Sequence, residues 1–183
     1  MLIILGRLVL VILIAFVILY IVSLYMLVKF KVDDAPLESD LVIVVYGDEV
    51  SFMKAREFVS DGFVKTEKVL ICDRNSDVRG LNPSDTLVED EKVNLFLKAH
   101  NVYEMMGVHD FESAIIVTPD YQMLRVQNAF KRMNQEFKLN FVSSYQTVDG
   151  VSVPWFKARE AWALGVRESL RYIRHVMSYT FTN

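Results

Sequence analysis

The sequence predicts an α/β domain, a Rossmann-like three-layer fold with a mainly parallel sheet, preceded by one N-terminal transmembrane helix. Three observations carry this. Leu8 to Val28 contains no charge, Gly or Pro. Beyond Asp40, short β-branched runs alternate with stretches whose apolar residues recur every three or four positions, the pattern of strands and amphipathic helices in turn. The run from Ser113 stops abruptly at Thr118-Pro119-Asp120 and continues with helical spacing, a strand-to-helix switch of the kind that carries ligands in parallel sheets.

The 183 residues allow one membrane element and one domain of about 100 to 150 residues. At about 1.5 Å per residue, residues 8–28 span roughly 30 Å, the thickness of a bilayer's hydrocarbon core. A cleaved signal peptide would have a shorter apolar core and a small-residue cleavage site, and Ser23-Leu24-Tyr25 offers none. The expected organisation is a short segment 1–7, a signal-anchor helix 8–28, a tether 29–39 containing Pro36, and a domain 40–183. Arg7 on one side is nearly matched by Lys29 and Lys31 on the other, so charge leaves orientation open.

Within the domain, Leu41–Tyr46 reads as the first strand, residues 50–60 as an amphipathic helix and Lys68–Asp73 as the second strand. Residues 74–86 are a loop rich in Asn, Ser, Gly and Pro, Leu87-Val88 a short third strand, and residues 92–106 a helix. Strand 113–118 precedes a helix with its stripe Met123, Val126, Phe130, Met133 and Phe137. Strand 139–144 leads through Asp149-Gly150 and Pro154 into a last helix carrying Trp155, Ala158, Trp162, Val166, Leu170, Ile173 and Met177. Alternating strands and helices imply right-handed crossovers and a parallel sheet.

Two strand ends are built alike, Tyr46-Gly47-Asp48-Glu49 and Thr118-Pro119-Asp120-Tyr121. Each sets polar groups beside a helix N-terminus, where free N–H groups and the helix dipole hold anions. Asp48 and Asp120 fit two roles there, helix cap or ligand and catalytic group. Tyr121, Gln122 and Arg125 share one flank of their helix, where Arg125 either grips a phosphate or carboxylate or points into solvent.

Residues 116–125, Ile-Val-Thr-Pro-Asp-Tyr-Gln-Met-Leu-Arg, resemble the V-T-S-x-Y-H-M-x-R-A signature of the ElyC/SanA/YdcF family, an α/β group with many membrane-anchored members. Asp40 followed by an apolar strand and Gly47 is similar to its opening D-x-I-V-V-L-G, Ala55 and Gly62 to its first helix, and Arg167-Glu168 with Tyr172 to its closing helix. The resemblance implies ligand-binding roles for Gly47, Asn94, Thr118, Tyr121 and Arg125, joining Asp48, Asp120 and Gln122, which their positions at the strand ends already make candidate ligand-binding residues; it also implies a place in envelope integrity or cell-wall precursor metabolism, and a domain outside the cytoplasmic membrane. It also has departures. Gln122 stands where the family has His, which removes the one group titrating near pH 7, and Cys72-Asp73-Arg74 replaces S-G-G. Binding is therefore expected over catalysis, with a transferase or hydrolase acting on a lipid-linked precursor, or a non-catalytic partner-binding module, as alternatives.

Other chemistry lacks a motif. No dinucleotide, Walker or nucleophile-elbow pattern is present, and Cys72 with His100, His109 and His175 has no zinc spacing, so no cofactor or metal is specified. Cys72 reads as a small buried hydrophobe, and His100 as a buried helix residue. A net charge of -3 without a basic footprint excludes nucleic acid and leaves the bilayer and a small anion as expected partners; no protein partner is indicated. Arg167, Arg171 and Arg174 line one face of the last helix, a solvated face or a contact for anionic lipid.

Overall fold

Strands apolar on both faces must be covered on both faces, and this chain covers them with helices. The computed structural model describes all residues except 1, 30–32, 47, 73–85, 89–93, 134–135, 149–150 and 181–183. Its elements run α1 (Leu2–Lys29), β1 (Ser39–Val44), α2 (Glu49–Ser60), β2 (Val64–Ile71), β3 (Thr86–Val88), α3 (Leu95–Val108), β4 (Ser113–Pro119), α4 (Asp120–Met133) and β5 (Lys138–Ser144). A hairpin, β6 (Gln146–Val148) with β7 (Val151–Val153), two short 3-10 turns and α5 (Trp162–Thr180) complete it. The predicted α/β alternation is present.

The five main strands pair in parallel in the order β3-β2-β1-β4-β5. All seven residues of β4 are buried, as befits a strand inside a covered sheet. Alternation sends Leu41, Ile43, Leu70, Ala114 and Ile116 toward α3 and α4, and Val42, Val44, Val69, Ile71, Ile115 and Val117 toward α2. These are the two halves of the core. Helix α2 stops at Asp61, and Gly62 takes φ 79°, a left-handed conformation that glycine adopts without strain.

Residues 33–38, expected as tether, are bound along the outer edge of β5. Asp34 N–H donates to the Phe141 carbonyl at 2.8 Å, while Phe141 and Ser143 N–H donate to the carboxylates of Asp34 and Asp33, each at 3.0 Å. The Tyr145 hydroxyl adds a 2.6 Å bond to Asp33, and Asn140 bonds the backbone of Ala35 and Leu37. The segment thus satisfies edge N–H groups that would otherwise invite another strand.

Three further expectations need correction. The last helix does not begin at Trp155: two 3-10 turns, Trp155–Lys157 and Arg159–Ala161, come first, and Trp162 and Leu170 are exposed. Its buried face is Gly165, Glu168 and Ser169 instead, because Trp155 packs on Gly165 and Glu168 meets a charge. His100 is exposed, its Nε2 3.4 Å from the Glu104 carboxylate one turn on, since the buried face of α3 runs through Leu95, Lys98, Ala99, Val102, Tyr103 and Met106. Helix α4 ends at Met133, which is partly exposed, so Phe137 packs from outside the helix. The loop 74–86 and the turn at 149–150 lie outside the described residues, apart from Thr86 in β3.

Residues 8–28 fall within α1, whose side chains from Leu8 to Val22 are largely exposed. Counted over the described residues, which run unbroken for α1 side chains only from Gly6 to Val22, no helix is long and apolar enough to cross a membrane. Leu24 packs against the small apolar cluster that Tyr121, Trp155, Ala158 and Ala161 form.

Candidate functional site

In the order β3-β2-β1-β4-β5 the chain leaves β1 toward one side of the sheet and β4 toward the other. Such a reversal opens a crevice beyond the carboxyl ends of the two strands. The two strand ends singled out in the sequence are those ends. Tyr46 and Asp48 follow β1, and Thr118, Asp120, Tyr121, Gln122 and Arg125 follow or close β4. Gly47 lies outside the described residues.

Arg125 is the electrostatic centre. It is nearly buried, its Nε donates to Glu168 Oε1, and its guanidinium lies 5.4 Å from the centre of the Tyr46 ring. Burial works against the charge, but Tyr46 and Glu168 more than offset it and hold the guanidinium pKa above its ordinary value. Glu168, 1 % exposed, also takes a 3.5 Å contact from Arg171. Arg125 therefore does not point into solvent; its first partner is a carboxylate of the same chain.

Lys98 is the site residue that sequence reasoning missed. Its ammonium donates to the Cys72 carbonyl at the end of β2 and lies 5.7 Å from the Tyr46 ring centre. Two buried cations therefore flank one phenol, whose own pKa is raised chiefly by burial. A signal for Lys98 was present: it interrupts the apolar stripe Leu95, Ala99, Val102, Tyr103, Met106 at a core position. Glu168 had a weaker signal, as a carboxylate on the buried side of an otherwise basic helix.

The carboxylates divide by role. Asp120 Oδ1 accepts from Tyr121 N–H at 2.9 Å, and Oδ2 from Trp155 N–H at 2.8 Å, so it ties the start of α4 to the segment entering α5. That is an anchoring geometry. Asp48 caps α2, accepting from Ser51 N–H at 3.1 Å, and burial raises its pKa despite that bond. Asn94 caps α3 through Leu97 N–H at 3.0 Å and stands exposed one turn before Lys98.

Tyr121 is buried against Trp155, with its phenol pKa raised mainly by burial. Beside it the polar account does not close. Thr118 Oγ1 and Gln122 Oε1 are both buried and have no hydrogen-bond partner among the described residues. Such atoms cost about 1 to 3 kcal/mol each unless water or a ligand satisfies them. Among the described residues no group of three or more His, Cys, Asp or Glu is placed to hold a metal ion.

A separate open groove of about 590 Å³ runs beside α2, past Met53, Arg56, Ser143, Ser144, Tyr145 and Ser152. It gathers none of the predicted site residues. Compared with family models, curated proteins and solved structures, the chain matches none.

Proposed function

We propose that this chain is a single-pass, membrane-anchored protein whose α/β domain binds an anionic or nucleotide-like small molecule at the β1/β4 switch point. The observation that carries the reading is a pair of buried atoms at the β4-to-α4 junction, Thr118 Oγ1 and Gln122 Oε1, that have no hydrogen-bond partner among the described residues; at the neighbouring end of β1, Lys98 and Arg125 lie over Tyr46. Unpaired hydrogen-bonding atoms thus stand at one strand end and two cations at the adjacent one. An anionic ligand with hydroxyl or amide groups answers both. The helix N-termini of α2 and α4 add partial positive charge at the same ends.

Membrane anchoring rests on α1. Its residues 8–28 carry no charge and its described side chains are exposed around the helix, the pattern of a segment whose surroundings are apolar on every side. The resemblance to the ElyC/SanA/YdcF family supports a role in envelope integrity or cell-wall precursor metabolism on the extracytoplasmic side. Labelling of a Glu38→Cys variant in intact cells tests that side; Cys72 is buried and silent. Labelling only after membrane disruption reverses the placement.

A second reading, a transferase or hydrolase on a lipid-linked envelope precursor, is favoured by one observation: Asp48 is a carboxyl whose burial moves its pKa toward that of a general base or acid. The experiment for the first reading uses the full chain in nanodiscs, heated in the presence of nucleotides, S-adenosylmethionine or polyprenyl-phosphate sugars. A ligand at 100 times its dissociation constant stabilises the native state by about 2.7 kcal/mol. That gain is expected to shrink in Lys98→Met. No stabilisation by any of them overturns ligand binding in favour of a partner-binding module. Turnover lost in Asp48→Asn with ligand stabilisation retained would favour the enzyme.

A further inference from the structure

The groove beside α2 follows from how the sheet is covered. Five strands about 4.8 Å apart make a sheet roughly 20 Å wide, about twice the diameter of one helix. Helices α3 and α4 share one face, while α2 sets Phe52, Ala55 and Phe58 on the other. The groove opens where that single helix stops short, between α2, the end of β5 and the β6/β7 hairpin. Its volume of about 590 Å³ falls within the range of about 300 to 1,000 Å³ that small-molecule sites occupy.

Hydroxyls dominate the polar part of its lining. Ser143 and Ser144 reach it from β5 and are only 3 % and 4 % exposed. Ser144 Oγ shares a 2.7 Å hydrogen bond with Ser51 Oγ, and since a hydroxyl offers one donor and two acceptor positions, it keeps capacity for a ligand. From the hairpin come Thr147 and Ser152, which stand directly opposite each other on the ladder and so share a face. Three charged residues line the groove, Lys54, Arg56 and Glu57; Lys54 and Glu57 pair at 3.0 Å, which leaves Arg56 as the surplus positive charge. Met53, 64 % exposed, adds an apolar surface beside it.

This lining selects among ligand classes. An extended peptide would pair with the free edge of β5, but the Phe141 and Ser143 N–H groups there are held by Asp34 and Asp33. A polyphosphate calls for several cations, whereas one surplus arginine matches one acid group. Sugar rings carry hydroxyls around the rim and C–H groups on the face, the counterparts of this lining. We propose that the groove is a second ligand site, one that takes a sugar chain bearing a carboxylate. Arg56 meets the acid, the Ser144, Thr147 and Ser152 hydroxyls bond the ring hydroxyls, and Met53 lies against the C–H face. The site is separate from the β1/β4 crevice and does not depend on what binds there.

Trigalacturonic acid and the uncharged maltotriose are titrated against the full chain in nanodiscs, followed by calorimetry with empty nanodiscs as the blank. Trigalacturonic acid is expected to bind, and to lose roughly tenfold in affinity in Arg56→Gln and again in Thr147→Val with Ser152→Ala. Maltotriose should bind roughly tenfold more weakly than the acid and be indifferent to Arg56→Gln. All three positions are exposed, so the variants should melt at the temperature of the parent chain. No binding of either sugar overturns the site. Binding of trigalacturonic acid that survives all these substitutions lies elsewhere on the chain and overturns the groove. Equal affinity for the two sugars overturns the role given to Arg56.

Discussion

At the scale of single residues, the acidic groups pull stability in opposite directions with pH. Burial raises the Asp40 pKa, but N–H donors of Glu112 and Ser113, the Ser113 hydroxyl and the charge of Lys65 outweigh it, leaving the pKa below 3.8. Its contribution is present above about pH 4 and is lost as pH falls through the lower native value. Asp40→Asn is expected to cost about 1 to 2 kcal/mol at pH 7, a difference that narrows in acid denaturation curves below pH 4. Asp48 behaves in reverse: its raised pKa makes stability complete below the unfolded value and lost as pH rises through the folded one. Asn caps a helix as well as Asp, so Asp48→Asn should leave the melting temperature unchanged or higher at pH 7, with no difference in acid. A fall at pH 7 would mean that the carboxylate is engaged as an anion. Glu168→Ala strands a buried guanidinium and is expected to cost about 3 to 5 kcal/mol by urea unfolding, much of it recovered by adding Arg125→Met.

At the scale of elements, packing overrode the local pattern where small or charged residues met. A Cβ at Gly165 would stand 2.2 Å from the Trp155 ring, so this glycine is required by close approach rather than by backbone conformation. Gly165→Ala should destabilise by about 1 to 3 kcal/mol and alter the near-ultraviolet tryptophan signal, since Trp155 must move. The strands and helices of 40–144 were legible because each presents a clear period to its own stretch of core. The hairpin β6/β7 was overlooked although Asp149-Gly150 between two β-branched runs is a hairpin signal. The docked segment 33–38 had no such period: its conformation follows from Asp33 and Asp34 meeting the edge of β5, more than a hundred residues away in sequence.

At the scale of the whole molecule, α1 and the sheet set what the domain faces. If α1 spans a bilayer, a charge at its centre costs about 2.5 to 3.5 kcal/mol, so Val17→Lys with Ile18→Lys should move the chain into the carbonate-soluble fraction. Unchanged membrane retention would overturn α1 as the anchor. What the sequence determined by itself was the α/β alternation, the apolar helix at 8–28 and the two strand ends where polar residues collect, because each is written in the spacing of neighbours. The tertiary structure alone decided that those ends meet at the β1/β4 switch point, that Arg125 pairs with Glu168, that Lys98 joins it over Tyr46, and that Asp120 is held by Trp155. Strand order and helix docking make these contacts between residues tens of positions apart, and local periodicity carries no record of which distant partner a side chain will meet.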